Sequence, residues 1–210
     1  REALLAGGVS VASANYRFTD DPEYLAPLLD GARALQFLRH NAELWNLDPA
    51  RFAAGGSSAG SCTAFWLGFG PDQARPDSTD PVARQSTRLQ AIGSSEIQST
   101  LDAHWIRANL EGDTWKIQSI ANLLRLSVEE YDTPEARERF REVDFLGMLG
   151  PGAPPVYTYN LTPLQPKTGI HHPIFATAMK ERMDDLDIEC IIRLREDFPD
   201  LPVEDLGVRF

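Results

Sequence analysis

Ser58 is the residue around which chemistry is most directly drawn. It lies in Ala53-Ala54-Gly55-Gly56-Ser57-Ser58-Ala59-Gly60, where Gly56, Ser58 and Gly60 form a Gly-x-Ser-x-Gly pattern. A turn, Asn46-Leu47-Asp48-Pro49-Ala50-Arg51-Phe52, feeds a short strand just before it. After it, Cys62, Phe65, Trp66 and Phe69 recur at i, i+3, i+4 and i+7, which predicts one apolar face of a helix. A strand, a sharp glycine-flanked turn and a helix, with serine at the apex, is a nucleophile elbow. The glycines have a steric reason. The serine takes a strained backbone conformation, and strand and helix approach each other closely around it.

The elements that must hold this serine follow in order. Residues 1–6 read as a helix closed by Gly7-Gly8. Val9 to Arg17 reads as a strand of small and β-branched residues, broken by Asp20-Asp21-Pro22. A helix follows from Tyr24 or Ala26 to Trp45, with Leu28, Ala32, Leu35 and Ala42 on one stripe. Beyond the elbow, residues 70–88 form a loop rich in Asp, Pro and Ser, and Leu89–Gly93 is the next strand. Residues 100–146 turn helical and charged, anchored by Trp105, Ile106, Trp115, Ile120, Leu123, Leu124 and Leu126. That makes either a pair of packing helices or a cap-like excursion that partly roofs a site. Val156–Asn160 is a strand, Pro173–Leu186 a helix and Ile188–Leu194 the last strand, followed by an acidic tail with a short helix near its end. The alternation predicts a single α/β domain over 1–210, a three-layer α/β/α sandwich with a mostly parallel sheet covered on both faces.

Bulk composition narrows the partners. The chain has 210 residues, 42% of them apolar, and a formal charge of −11. That charge argues against nucleic acid or an anionic membrane surface, both of which want Lys/Arg patches. No apolar run approaches the ~18–20 residues of a membrane span. The two cysteines, Cys62 and Cys190, fall on apolar faces and read as core residues rather than a disulfide. Four scattered histidines, His40, His104, His171 and His172, have no ligand spacing, so no metal is expected. Gly55–Ser61 lacks the Lys of a phosphate-binding loop. Asn160-Leu161-Thr162 fits the glycosylation acceptor pattern, a frequent triplet.

Asn15-Tyr16-Arg17, the helix Leu28–Leu38 and the lead-in Leu47–Phe52, together with the elbow, resemble the esterase/lipase branch of the α/β-hydrolases, the acetyl-esterase and hormone-sensitive-lipase-like proteins. The similarity is specific over residues 1–70 and topological beyond. Since the chain opens on Arg1 in mid-pattern, the resemblance implies that the first strands of the fold, and with them a His-Gly-Gly-type loop supplying the second oxyanion donor, lie outside it. It also implies hydrolysis of a small-molecule ester without metal or organic cofactor. Ser58 matches the nucleophile and the Ala59 N–H one oxyanion donor.

The partners of the serine depart from the family's arrangement. There the acid follows the next-to-last strand and the histidine the last. Here Leu161–His172 contains no Asp or Glu, and Arg195–Pro202 contains no His. Three readings stay open. The relay is lost and the chain is a degenerate hydrolase that binds a ligand or partner. Or the relay is displaced, with His171 or His172 as base and Glu196 or Asp197 as its orienting acid. Or the histidine lies beyond Phe210. Relays are defined by geometry rather than chain order, so the second is chemically allowed. The plain alternative for His171-His172-Pro173 is the first turn of a helix, and for Glu196-Asp197 a solvated turn.

Overall fold

Four short strands set the frame: β1 (Ala53–Ser57), β2 (Ala91–Ser95), β3 (Val156–Asn160) and β4 (Cys190–Leu194). In the computed structural model, which describes residues 2–198, they form one parallel sheet in the order β1-β2-β3-β4. The register is regular, with Gly56 beside Ser94 and Ser94 beside Thr158. Each parallel step needs a crossover, and helices supply them. α1 (Glu2–Ala6) and α2 (Ala26–His40) precede β1, and α3 (Ala59–Phe69) follows it. α4 (Ala103–Asn109), α5 (Gln118–Leu124), α6 (Pro134–Arg141) and α7 (Phe145–Met148) lie between β2 and β3. α8 (Ile174–Asp184) joins β3 to β4. The expected α/β class and parallel sheet are what the chain forms.

The core gathers around α3. Phe65, Leu67 and Phe69 are buried, Phe65 stacks on Phe69 at 5.3 Å between ring centres, and Phe145 of α7 packs on Phe65 at 6.0 Å. α3 lies so close to the sheet that a Cβ on Gly68 would come within 2.5 Å of Ile92 Cδ1. Ile92, Val156 and Thr158, all buried, face the helices, whereas Gly55, Gly93 and Ile191 on the other face are exposed.

Boundaries differ from the sequence reading in instructive places. Residues 9–17 form no strand and are exposed, because none of the four strands runs beside them to complete a ladder. Only their end is anchored. Arg17 grips Asp30 through its N–H (2.8 Å) and its guanidinium (2.6 Å), and pairs with Glu23. α2 stops at His40 rather than Trp45, and the Asn41 side chain donates to Phe37 O at 2.8 Å at its end. β2 starts at Ala91, two residues later than expected from Leu89. The short helix expected in the tail lies outside the described residues.

The loop after α3 is held by Asp72, whose carboxylate accepts from the Ser86 hydroxyl (2.6 Å), Thr87 N–H (2.7 Å) and Ala74 N–H (3.1 Å). Burial pushes its pKa up, but these bonds together outweigh it and hold it below the usual value. A depressed folded pKa contributes stability that is complete above the unfolded pKa and lost as pH falls through the folded one. Asp72→Asn is therefore expected to cost about 1 kcal/mol at neutral pH after solvent screening. Urea titrations of the two proteins should converge as pH drops below about 4.

Candidate active site

Ser58 occupies the point where β1 breaks into α3, with φ 52° and ψ −115°. That combination lies outside the left-handed helical well and costs a non-glycine residue roughly 1–3 kcal/mol. Surrounding bonds fix it. The Ser58 N–H donates to Ser95 O at 3.2 Å, and its carbonyl accepts from Ser61 N–H (2.9 Å), Cys62 N–H (3.2 Å) and the buried Ser61 hydroxyl (2.6 Å). A Cβ on Gly56 would stand 2.8 Å from the Gly60 backbone, so the first glycine of the pattern is required by the close approach. A Cβ on Gly60 itself would meet nothing within 4 Å. The Ala59 N–H opens α3 and has no acceptor among the described residues. It belongs to the orphan donors of a helix N-terminus, where the helix dipole favours negative charge.

His171 reaches this serine. Its Nε2 lies 2.8 Å from Ser58 Oγ, from the loop that follows β3. With the imidazole proton on Nδ1, Nε2 accepts the hydroxyl proton. The Nδ1 atom has no hydrogen-bond partner among the described residues. His172, its neighbour, turns the other way and is buried: Nδ1 accepts from Ile174 N–H at 3.0 Å, so Nε2 carries the proton and donates to Leu164 O at 2.9 Å. Both nitrogens of His172 are thus committed to backbone, at the turn that starts α8. The sequence left the two histidines equivalent, and the structure brings only His171 to Ser58.

Neither expected acid joins the pair. Glu196 accepts from Leu164 N–H at 2.9 Å, and Asp197 accepts from Leu194 N–H at 2.8 Å. Both are exposed; Asp197 closes its own turn, whereas Glu196 ties the end of β4 to the loop that follows β3. Placed after β4, each gives one carboxylate oxygen to a backbone N–H, and neither is bonded to the His171 ring.

The residues that hold His171 were not singled out by the sequence as parts of a site. Asn160, at the end of β3, is fully buried. Its Nδ2 donates to His171 O at 3.0 Å, and its Oδ1 accepts from Thr162 N–H at 3.0 Å. The amide of the glycosylation-like triplet is therefore an interior group, not a surface acceptor. Gln98, also buried, donates from Nε2 to Ile170 O (3.2 Å) and Glu96 O (2.9 Å) and accepts from the Cys62 thiol at 3.3 Å. Burial pushes Cys62 up to about 12, so it stays a neutral donor. Glu96 ties the start of the same loop, accepting from Leu161 N–H (2.5 Å) and the Thr162 hydroxyl (2.9 Å). A buried-polar signal could have flagged Asn160 and Gln98, but alternation in a strand does not distinguish a satisfied amide from an exposed one.

A cavity of about 390 Å³ opens beside Ser58 and Ala59. Phe18, Leu28, Leu101, Ile117, Ile120 and Leu123 give it an apolar lining, and α5 from the helical excursion supplies part of that wall. His104 stands elsewhere, between Asp102 (2.9 Å) and Asp132 (3.1 Å). Among the described residues there is no cluster of three or more potential metal ligands. No described helix is long and apolar enough to cross a membrane.

Comparison with known proteins bears on this geometry. The BD-FAE family model matches residues 1–104. No curated protein sequence matches the chain significantly. Among solved structures, an acetyl ester-xyloside bifunctional hydrolase from Caldicellulosiruptor lactoaceticus is similar with a TM-score of 0.72 and 20% identity, over 96% of this chain and 69% of that one. A carbohydrate esterase from gut microbiota gives a TM-score of 0.68 at 16% identity, over 91% of this chain and 67% of that one. A Thermogutta terrifontis esterase, in a propionate-bound form, gives 0.58 at 18% identity, over 86% and 58%. At such identities the likeness speaks for the fold.

Proposed function

We propose that this chain is a serine carboxylic-ester hydrolase of the esterase/lipase branch of the α/β-hydrolases, working through Ser58 and His171. The observation that carries the reading is the 2.8 Å contact between Ser58 Oγ and His171 Nε2. A hydroxyl is a weak nucleophile until a base takes its proton, and this contact is the reach such a transfer needs. Ser58 Oγ attacks the ester carbonyl as His171 Nε2 takes its proton. The Ala59 N–H faces the negative charge that develops on the carbonyl oxygen. The imidazolium then returns the proton to the departing alkoxide, leaving an acyl-serine. Water, deprotonated by the same nitrogen, releases the acid and restores the serine.

The cavity suits the apolar portion of a small ester, and the excursion over 100–146 acts as a partial cap on it. Leu123→Trp would fill this space. The variant should lose roughly 10-fold or more in kcat/KM for p-nitrophenyl octanoate relative to p-nitrophenyl acetate. An unchanged ratio would show that the substrate does not enter there.

The test of the reading itself is a fluorophosphonate probe followed by mass spectrometry, together with turnover of short p-nitrophenyl esters. Covalent mass on Ser58 and Ser58-dependent hydrolysis are expected. The competing reading, a hydrolase fold retained for binding without turnover, is favoured by the unpartnered Nδ1 of His171. It requires that neither signal depend on Ser58.

A further inference from the structure

The loop from Leu161 to His172 has to deliver one imidazole to Ser58 with no carboxylate on that ring's other nitrogen among the described residues. We propose that Asn160 and Gln98 are positioning residues that orient the His171 ring through its own backbone; the inference rests on the Ser58–His171 reading above. One buried amide spans the loop. Asn160 holds its beginning through Thr162 N–H (3.0 Å) and its end through His171 O (3.0 Å). Gln98 holds the neighbouring carbonyl, Ile170 O, at 3.2 Å. Two consecutive carbonyls, those of Ile170 and His171, are therefore gripped by donors from two different strand ends, after β2 and at the end of β3. That pins the peptide from which the imidazole projects and leaves its ring little freedom beyond side-chain rotation.

The orientation of each amide is itself determined. Gln98 Oε1 accepts from the Cys62 thiol at 3.3 Å, so the Nε2 end must face Ile170 O. Cys62 lies on α3, one turn past Ser58, so the same helix that carries the serine also sets the amide that holds the base's loop. For Asn160, the donor on Thr162 claims Oδ1 and directs Nδ2 at His171 O. Serine and base are thus registered to each other through buried, satisfied groups, and such networks fix geometry more than they add net stability. In a triad the orienting acid acts on the ring. Here the hold is on the main chain.

The test uses Asn160→Ala, Asn160→Asp and Gln98→Met, each alone and in the His171→Ala background, with Ser58→Ala as the control. Asp keeps the acceptor for Thr162 N–H but, when ionised, cannot donate to His171 O. Met keeps the length of Gln98 without its donor. In folded protein, Asn160→Asp and Gln98→Met should each lower kcat for p-nitrophenyl acetate by roughly 10- to 100-fold with KM nearly unchanged, the scale of a displaced catalytic group. In the His171→Ala background the same substitutions should change the residual rate by less than about twofold, since residues acting through one group are not additive. Unchanged kcat in the variants that fold overturns the inference. So does an equal loss with and without His171, which would mark a general effect on the fold. If Ser58→Ala turns over as fast as wild type, the hydrolase reading falls first and takes this one with it.

Discussion

Ser58→Ala is expected to abolish covalent labelling by a fluorophosphonate and to cut turnover of p-nitrophenyl esters by at least roughly 10³-fold. Ser58→Gly should be as inactive and, in addition, more stable than wild type. The serine sits at φ 52°, ψ −115°. A glycine accepts that conformation without the steric penalty, which for other residues runs to roughly 1–3 kcal/mol. Part of the gain is offset because glycine loses more entropy on folding, so about 1 kcal/mol should remain. For a chain of this size that is a rise of about 2–4 °C in Tm. Alanine brings no such relief, since it carries the same Cβ. Thermal melts of the two inactive variants therefore separate strain from chemistry. If Ser58→Gly melts no higher than Ser58→Ala, the elbow stores no strain, and the case that Ser58 is held in a costly conformation for its reactivity is lost.

That strain is the part of the molecule most legible in the sequence. Gly56-x-Ser58-x-Gly60, followed by an apolar helical stripe, announced strand, turn and helix, and the structure forms all three within a residue or two. The pattern is local: the Gly56 contact with Gly60 spans four positions of chain. β3 and β4 were legible for the same reason, since a short apolar run bounded by Pro, Gly and Asp says most of what a buried parallel strand needs. Residues 9–17 were misread because strand propensity is a condition on a segment, whereas a strand is a bond between two. The histidines show the limit more sharply. His171 and His172 are adjacent and chemically identical, and what separates them is a turn. His172 takes Ile174 N–H and Leu164 O, and this leaves its neighbour to face the serine. No periodicity encodes that division. Asn160 was invisible as a site residue for a related cause, since both its partners lie in a loop whose path only the fold determines.

The same division makes the second large effect a contrast between neighbours. His171→Ala should lower kcat by roughly 10²- to 10⁴-fold, the usual cost of removing a general base. Added to Ser58→Ala it should cost nothing further, because nucleophile and base fail as a unit. His172→Ala removes no group that touches Ser58. It leaves Leu164 O and Ile174 N–H without the buried His172 ring as partner, which should cost about 1 kcal/mol of stability. The measured signature is a lower midpoint in urea, with kcat in the folded protein falling far less than for His171→Ala. Glu196→Gln and Asp197→Asn decide whether a carboxylate of that turn matters after all. Each side chain is bonded to a backbone N–H, Leu164 and Leu194 respectively, and neither is bonded to His171. Both variants should keep kcat within about twofold, since neither removes a charge held on the imidazolium and a general base contributes orders of magnitude more. A large loss in either would mean that its carboxylate reaches Nδ1 of His171 during the reaction, restoring a three-residue relay with base and acid exchanged between their loops. Four rates and four midpoints, measured on one ester and one denaturant, thus tell a two-residue engine from a three-residue one.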